Sequence, residues 1–112
     1  MKSFIELEKE RFEWSLKIFT DATPKSSILK LKSELKEVLK EIRILEKFPD
    51  GDDGLADLTM EYVDCLMCLL DSAGRAGISI EEILESYEDK IEINKNRKWK
   101  KNEDNSYSHL KK

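Results

Sequence analysis

The chain has 112 residues, of which 39% are hydrophobic and 39% are charged, and its formal net charge is −4. This length supports one domain with a modest core and excludes a second one. Charges of both signs are interspersed, which argues against a nucleic-acid-binding body, and the apolar runs are too short to span a membrane. Neither a secretory leader nor a disulfide framework is indicated, so the sequence predicts a reduced, cytoplasmic setting.

Two amphipathic helices are predicted in the N-terminal half of the chain. The first runs from about Phe4 to Asp21, and the Ser-x-x-Glu sequence at its start has the form of a capping box. The second runs from about Pro24 to Lys47, where apolar residues recur at helical spacing. Thr23 suits the N-cap and a proline suits the first helical position, so this boundary favours a helix start.

Two further helices and a polar tail follow a connection that is rich in Pro, Gly and Asp. The third helix spans about Leu55 to Ala76, and Gly77 is placed to end it in a left-handed conformation. The fourth spans about Ser79 to Lys98, with a second capping box at its start. Residues 100–112 cannot bury enough apolar surface to order themselves. We therefore predict a folded domain over residues 1–99 and a disordered tail.

The third predicted helix carries two carboxylates within the most apolar stretch of the chain. Glu61 and Asp64 are three residues apart and therefore share one helix face. A helix that is apolar nearly all round is expected to be buried, where a carboxylate is costly unless it is paired, hydrogen-bonded or metal-bound. Basic residues are absent from the turns beside Asp64. A metal site therefore explains this carboxylate best, with an ion pair to another helix as the alternative.

Glu34 and Glu37 repeat the acidic spacing on the second helix. Taken alone, they fit a solvated face paired with neighbouring lysines equally well. Together with Glu61 and Asp64 they give two helices that each turn a pair of carboxylates inward, which suits a hard divalent cation. Oxygen ligands without His or Cys favour Mg²⁺, with Mn²⁺ as a substitute. Such a cage indicates phosphate chemistry.

Three polar residues near the end of the fourth helix share one direction. Lys90, Asn94 and Arg97 have i, i+4, i+7 spacing. A cation, an amide and a guanidinium in a row suit phosphate oxygens, although basic residues are also enriched at any helix C-terminus. Trp14 and Trp99 are interpreted either as core residues or as platforms on which a base could stack.

The order of these motifs resembles that of the MazG-like superfamily of all-α nucleotide pyrophosphohydrolases. The finer motifs are similar to those of its dATP/dGTP pyrophosphohydrolase branch, which is common in phages. Four segments carry the resemblance: Trp14 with Phe19-Thr20, Glu34-x-x-Glu37 with Glu61-x-x-Asp64, Leu69 to Ile78, and Lys90-x-x-x-Asn94-x-x-Arg97-x-Trp99.

The resemblance implies an all-α, MazG-like four-helix bundle that is completed by oligomerisation. It implies Mg²⁺-dependent hydrolysis of a (deoxy)nucleoside triphosphate to the monophosphate and pyrophosphate, with a purine deoxynucleotide as one candidate substrate. The implied metal ligands and catalytic residues are Glu34, Glu37, Glu61 and Asp64. The implied substrate-binding residues are Lys90, Asn94, Arg97 and Trp14.

Two other functions remain open at the level of sequence. One is a non-catalytic helical interaction module, in which interhelical ion pairs take the place of the metal site. The other is nucleic-acid binding through the basic tail, which the negative net charge does not favour. A homo-oligomer, either a dimer or a tetramer, is expected in the enzymatic interpretation because a small helical unit leaves much of the third helix uncovered.

Overall fold

The computed structural model describes residues 1–51 and 53–111, so the last residue of the predicted tail lies outside the described residues. Within this part of the chain, four helices are followed by two short strands: α1 (Phe4–Ile18), α2 (Pro24–Lys47), α3 (Gly54–Arg75), α4 (Ile80–Lys95), β1 (Trp99–Lys101) and β2 (Tyr107–His109). The chain divides into two compact units, and the boundary lies between residues 80 and 81. Among the described helices, none combines the length and the apolar character that crossing a membrane requires.

The first two helices begin at the residues that the capping signals predict. The Ser3 side chain accepts a hydrogen bond from the backbone N–H of Glu6, whose carboxylate accepts one in return from the Ser3 backbone. Thr23 Oγ1 accepts from the backbone N–H of Ser26 at 3.0 Å. These bonds satisfy N–H groups that have no partner within the helix, and they fix where each helix starts.

A Schellman motif ends α3 at the predicted glycine. Gly77 has a φ of +93°, which a residue with a side chain rarely adopts. The N–H of Gly77 donates to the carbonyl of Gly74, and the N–H of Ile78 donates to the carbonyl of Ala73, each at 3.0 Å. The left-handed cap that the sequence predicts here is confirmed.

The core of the first unit lies between α2 and α3, which pack along one another. Val38 of α2 is buried against Leu58 and Cys65 of α3. Helix α1 approaches α3 at Gly74, where an added Cβ atom would lie only 2.6 Å from Cε1 of Phe12. The small residue at this position therefore allows the two helices to come close.

Helix α3 is less buried than its apolar sequence predicts. Leu66 and Met67 are each 44% exposed, and Leu69 is 49% exposed. Asp64 is also exposed. The expectation that this carboxylate is buried by an apolar environment is therefore wrong for the single chain. The physical reason is that α2 covers one face of α3, while much of the opposite apolar face is left in contact with solvent.

The C-terminal segment forms a hairpin where its composition predicts disorder. Strands β1 and β2 pair antiparallel with Trp99 opposite His109, and the two rings meet edge to face at a centroid distance of 6.0 Å. At the turn, the Asn102 amide donates to the hydroxyls of Ser106 and Ser108 at 3.0 and 2.9 Å. Cross-strand pairs of this kind stabilise a hairpin locally, and a count of polar residues does not reveal them.

Candidate active site

Three carboxylates from α2 and α3 meet in the first unit. Glu34, Glu61 and Asp64 each place one oxygen so that the three atoms lie within 4.8 Å of one another. Glu34 and Glu61 are half-buried, whereas Asp64 is exposed. Hard oxygen donors in this number and at this spacing fit a cation such as Mg²⁺ or Mn²⁺. The pairing of acidic motifs across two helices is thus brought about by the packing of α2 on α3.

The electrostatics of this acidic cluster favour a bound cation. Partial burial raises the pKa of Glu61, and the nearby charges of Asp64 and Glu34 raise it further. Glu37 is exposed and is not one of the three close carboxylates, but its charge also raises the pKa of Glu61. Lys30 Nζ lies 3.0 Å from Glu34 Oε1 and offsets part of the negative charge.

A cavity of about 520 Å³ opens beside the acidic cluster. Its wall includes Glu34 and Asp64, the apolar side chains of Trp14 and Met67, and Arg11. Trp14 is 54% exposed and therefore is not a core residue. This volume lies within the range of roughly 300–1,000 Å³ that is typical of small-molecule sites. The cavity joins the carboxylates to a surface on which an organic ligand could pack.

A polar network that the sequence analysis missed lies at the far wall of the cavity. Asp71 accepts hydrogen bonds from Ser15 Oγ at 2.7 Å, Ser27 Oγ at 2.8 Å, Arg75 Nε at 2.7 Å and Arg11 Nη1 at 3.1 Å. These partners come from α1, α2 and α3. The sequence allows an interhelical ion pair at Asp64, and in the structure such a pair joins Arg11 to Asp71 instead.

The environment of Asp71 keeps its carboxylate charged. Burial alone would raise its pKa, but the hydrogen bonds from Ser15, Arg75, Ser27 and Arg11 outweigh burial and lower the pKa to about 2. The sequence contained one local signal of this network, namely the i, i+4 spacing of Asp71 and Arg75. It contained no signal that serines of two other helices would share the same carboxylate.

The predicted phosphate-binding residues lie in the second unit. Helix α4 ends at Lys95, before Arg97, although it was predicted to continue to Lys98. Regular helical spacing therefore does not align all three side chains. Asn94 Oδ1 instead accepts a hydrogen bond from Arg97 Nη1 at 3.3 Å, and the Asn94 carbonyl accepts one from Trp99 Nε1 at 3.0 Å. These bonds bring two of the predicted residues together, and Lys90 is exposed one turn earlier.

Known proteins resemble this chain in both sequence and structure. One similar solved structure is described as a cyanophage S-2L MazG-like pyrophosphohydrolase bound to dGDP and three catalytic Mn²⁺ ions per active site. Its TM-score to this chain is 0.72 and its sequence identity is 24%. The similarity covers 99% of this chain and 100% of that one. The predicted all-α, MazG-like fold is thereby confirmed. None of the curated proteins matches the chain. The family model described as dATP/dGTP pyrophosphohydrolase matches residues 7–112. Because this match covers most of the chain, the protein belongs to the dATP/dGTP pyrophosphohydrolase family and is a hydrolase that acts on nucleotide anhydride bonds.

Proposed function

We propose that the protein hydrolyses a purine deoxynucleoside triphosphate to the monophosphate and pyrophosphate, with Mg²⁺ as its cation and Mn²⁺ as a substitute. The observation that carries this proposal is the cluster of Glu34, Glu61 and Asp64 within 4.8 Å, beside a cavity of nucleotide size. The dGDP and Mn²⁺ ions that the similar phage enzyme binds support the same ligand classes here. Membership of an enzyme family favours this function over a non-catalytic interaction module.

Within this proposal, the three close carboxylates of the acidic cluster hold the cation. A divalent cation bound there would neutralise phosphate charge and make water easier to ionise. Glu37 lies near enough to act on the pKa of Glu61. Of the four carboxylates that the resemblance implies as ligands, Glu37 is the one outside the close cluster, and it would bind a further cation or take a proton from the attacking water. Oxygen donors alone are well matched to a hard cation, which supports Mg²⁺.

The cavity next to the cluster is the proposed place of the nucleoside. Trp14 lies in its wall and packs edge to face on Phe19, with ring centroids 5.4 Å apart. That contact restrains the indole while much of its surface stays exposed. An aromatic face of this kind can stack on any base, so Trp14 supports affinity for a nucleoside without selecting among bases.

The proposal is tested with the eight common nucleoside and deoxynucleoside triphosphates in ¹⁸O-labelled water. We expect Mg²⁺-dependent conversion of purine deoxynucleotides, with the label in the monophosphate, because water attacks the α-phosphorus and pyrophosphate leaves as one group. The control is the same reaction with the cation chelated. Label in pyrophosphate, or release of orthophosphate with a diphosphate left behind, would show that a different bond is cleaved.

We further propose that Lys90, Asn94 and Arg97 hold the β- and γ-phosphates. The Arg97→Ala variant should lower kcat/KM for the triphosphate by roughly 10- to 150-fold, because a charged hydrogen-bonding contact contributes about 1.5–3 kcal/mol. Lys90→Ala should have a smaller effect, since an exposed ammonium gives no bidentate contact. Lys98→Ala, an exposed neighbour, is the matched control. Wild-type rates in both test variants would contradict this assignment.

The exposed apolar surface of α3 supports a homo-oligomer, either a dimer or a tetramer. Leu66 and Leu69 lie three residues apart on one face of this helix and are 44% and 49% exposed in the single chain. Large apolar surfaces of this kind usually mark an interface. Sedimentation equilibrium reports the mass directly, and a monomer at micromolar concentration would contradict the proposal.

The free Cys65 and Cys68 thiols agree with the proposed reducing, cytoplasmic location.

A further inference from the structure

We propose that Arg11 selects guanine over adenine by donating hydrogen bonds to the base edge at the far end of the cavity. This inference rests on the proposed function and adds the residue that determines its base specificity. Arg11 lies in the cavity wall, two carboxylates hold its guanidinium, and these contacts leave some of its N–H donors unused.

The position follows from helix geometry. Asp71 lies seven residues after Asp64 on α3, and Ser27 lies seven residues before Glu34 on α2. Seven residues correspond to about two helical turns, or roughly 10 Å of rise. Arg11 is bonded to Asp71 and lines the same cavity as Asp64, so it lies about two turns from the acidic cluster. In a nucleotide the sugar separates the α-phosphate from the base. In the same way, the cavity separates the acidic cluster from Arg11 and Asp71.

The guanidinium of Arg11 is held from behind by two carboxylates. Glu8, which is 8% exposed, accepts from Arg11 Nε and, at 2.9 Å, from Nη2. Asp71 Oδ1 accepts from Nη1 at 3.1 Å. Neither the arginine nor the glutamate is more than 14% exposed at the side chain. A guanidinium that is bonded to two carboxylates in this way keeps one orientation before any ligand arrives.

These contacts leave part of the guanidinium available. A guanidinium has five N–H donors, and the bonds to Glu8 and Asp71 use three of them. One N–H on each terminal nitrogen therefore has no acceptor among the described residues. The neighbouring hydroxyls of Ser15 and Ser27 already donate hydrogen bonds to Asp71. Arg11 thus has spare donors for a ligand at this end of the cavity.

The unused N–H donors of Arg11 suit guanine better than adenine. Guanine presents two acceptors, O6 and N7, on one edge, and arginine binds them as a pair. Adenine presents N7 as an acceptor but an amino group at the neighbouring position, which would face a donor. The charged guanidinium cannot change to an acceptor, because it does not lose its proton in proteins. The site should therefore favour dGTP over dATP, whereas stacking on Trp14 treats both bases alike.

The decisive measurement is the ratio of kcat/KM for dGTP to that for dATP. We expect a ratio of at least about 5 in the wild-type protein, because one bidentate contact discriminates between bases by roughly 5- to 150-fold. The ratio should fall towards 1 in Arg11→Gln. Arg11→Lys should also lose most of it, since a lysine keeps the charge without the planar pair of donors. Lys17→Gln, at the end of the same helix, is the matched control and should keep the wild-type ratio.

A second measurement does not depend on the folding of a variant or on turnover. Isothermal titration of the wild-type protein with dGMP and with 7-deaza-dGMP compares ligands that differ in the N7 acceptor, and the 7-deaza compound should bind at least about 5-fold more weakly. Equal affinity, or an equal loss of dGTP and dATP hydrolysis in Arg11→Gln, would overturn the inference. If the wild-type protein hydrolysed neither nucleotide, the proposed function itself would fail instead.

Discussion

Replacing Asp64 by asparagine should lower the rate of nucleotide hydrolysis by roughly 1,000-fold while the helices remain folded. Asp64 contributes one of the three close carboxylate oxygens, and an amide is a neutral, weaker ligand for a hard cation. A catalytic cation is worth several kcal/mol of transition-state stabilisation, and about 4 kcal/mol corresponds to that loss in rate. Initial rates with the favoured triphosphate, together with the circular dichroism of both proteins, measure the two parts of this prediction.

Cation binding should also be visible without turnover. Mg²⁺ should raise the melting temperature of the wild-type protein, because it relieves the mutual repulsion of the cluster and binds the folded state; saturation at about 100 times Kd corresponds to about 2.7 kcal/mol. Asp64→Asn should show a much smaller rise. Asp57→Asn is the control, since Asp57 is exposed on the same helix outside the cluster. An unchanged melting temperature with Mg²⁺, together with full activity in Asp64→Asn, would count against the metal site.

Replacing Asp71 by asparagine should cost about 3–5 kcal/mol of folding free energy, because it leaves Arg11 and Arg75 without the carboxylate between them. Asp71 is 8% exposed, so water cannot readily replace the lost interaction. Urea denaturation followed by circular dichroism measures the change. Asp50→Asn, in the exposed connection before α3, is the matched control and should stay within about 0.5 kcal/mol of wild type. A loss below about 1 kcal/mol in Asp71→Asn would show that the network contributes little.

The same residue gives stability a dependence on pH. The pKa of Asp71 is lowered from 3.8 to about 2 in the folded protein. A carboxylate with a lowered folded-state pKa stabilises the protein fully above its unfolded pKa, and this stabilisation, about 2 kcal/mol here, is lost as the pH falls towards 2. Wild type should therefore lose more stability than Asp71→Asn between pH 5 and about pH 2. Parallel stability curves for the two proteins would contradict this.

Local signals in the sequence fixed the helix boundaries at three ends. Ser3, Thr23 and Gly77 act through hydrogen bonds to residues within one turn, so a short stretch of sequence contains all the partners. The acidic pair of Glu61 and Asp64 was recognisable for the same reason, since three-residue spacing places both side chains on one helix face. The resemblance of the motifs then indicated the family, which the match over residues 7–112 confirmed.

Tertiary packing decided what spacing along the chain could not. The network of Asp71 joins side chains that are 44 to 60 residues apart in sequence, and composition does not reveal which helices will meet. The exposure of Asp64 depends on which face of α3 lies against α2, although the sequence of α3 is apolar on nearly all sides. The sequence by itself determined the helices and the carboxylates that they carry, because these depend on neighbours in the chain. The arrangement of helices decided which carboxylate became the structural anchor and which remained open to a ligand, because burial and pairing are properties of packed surfaces.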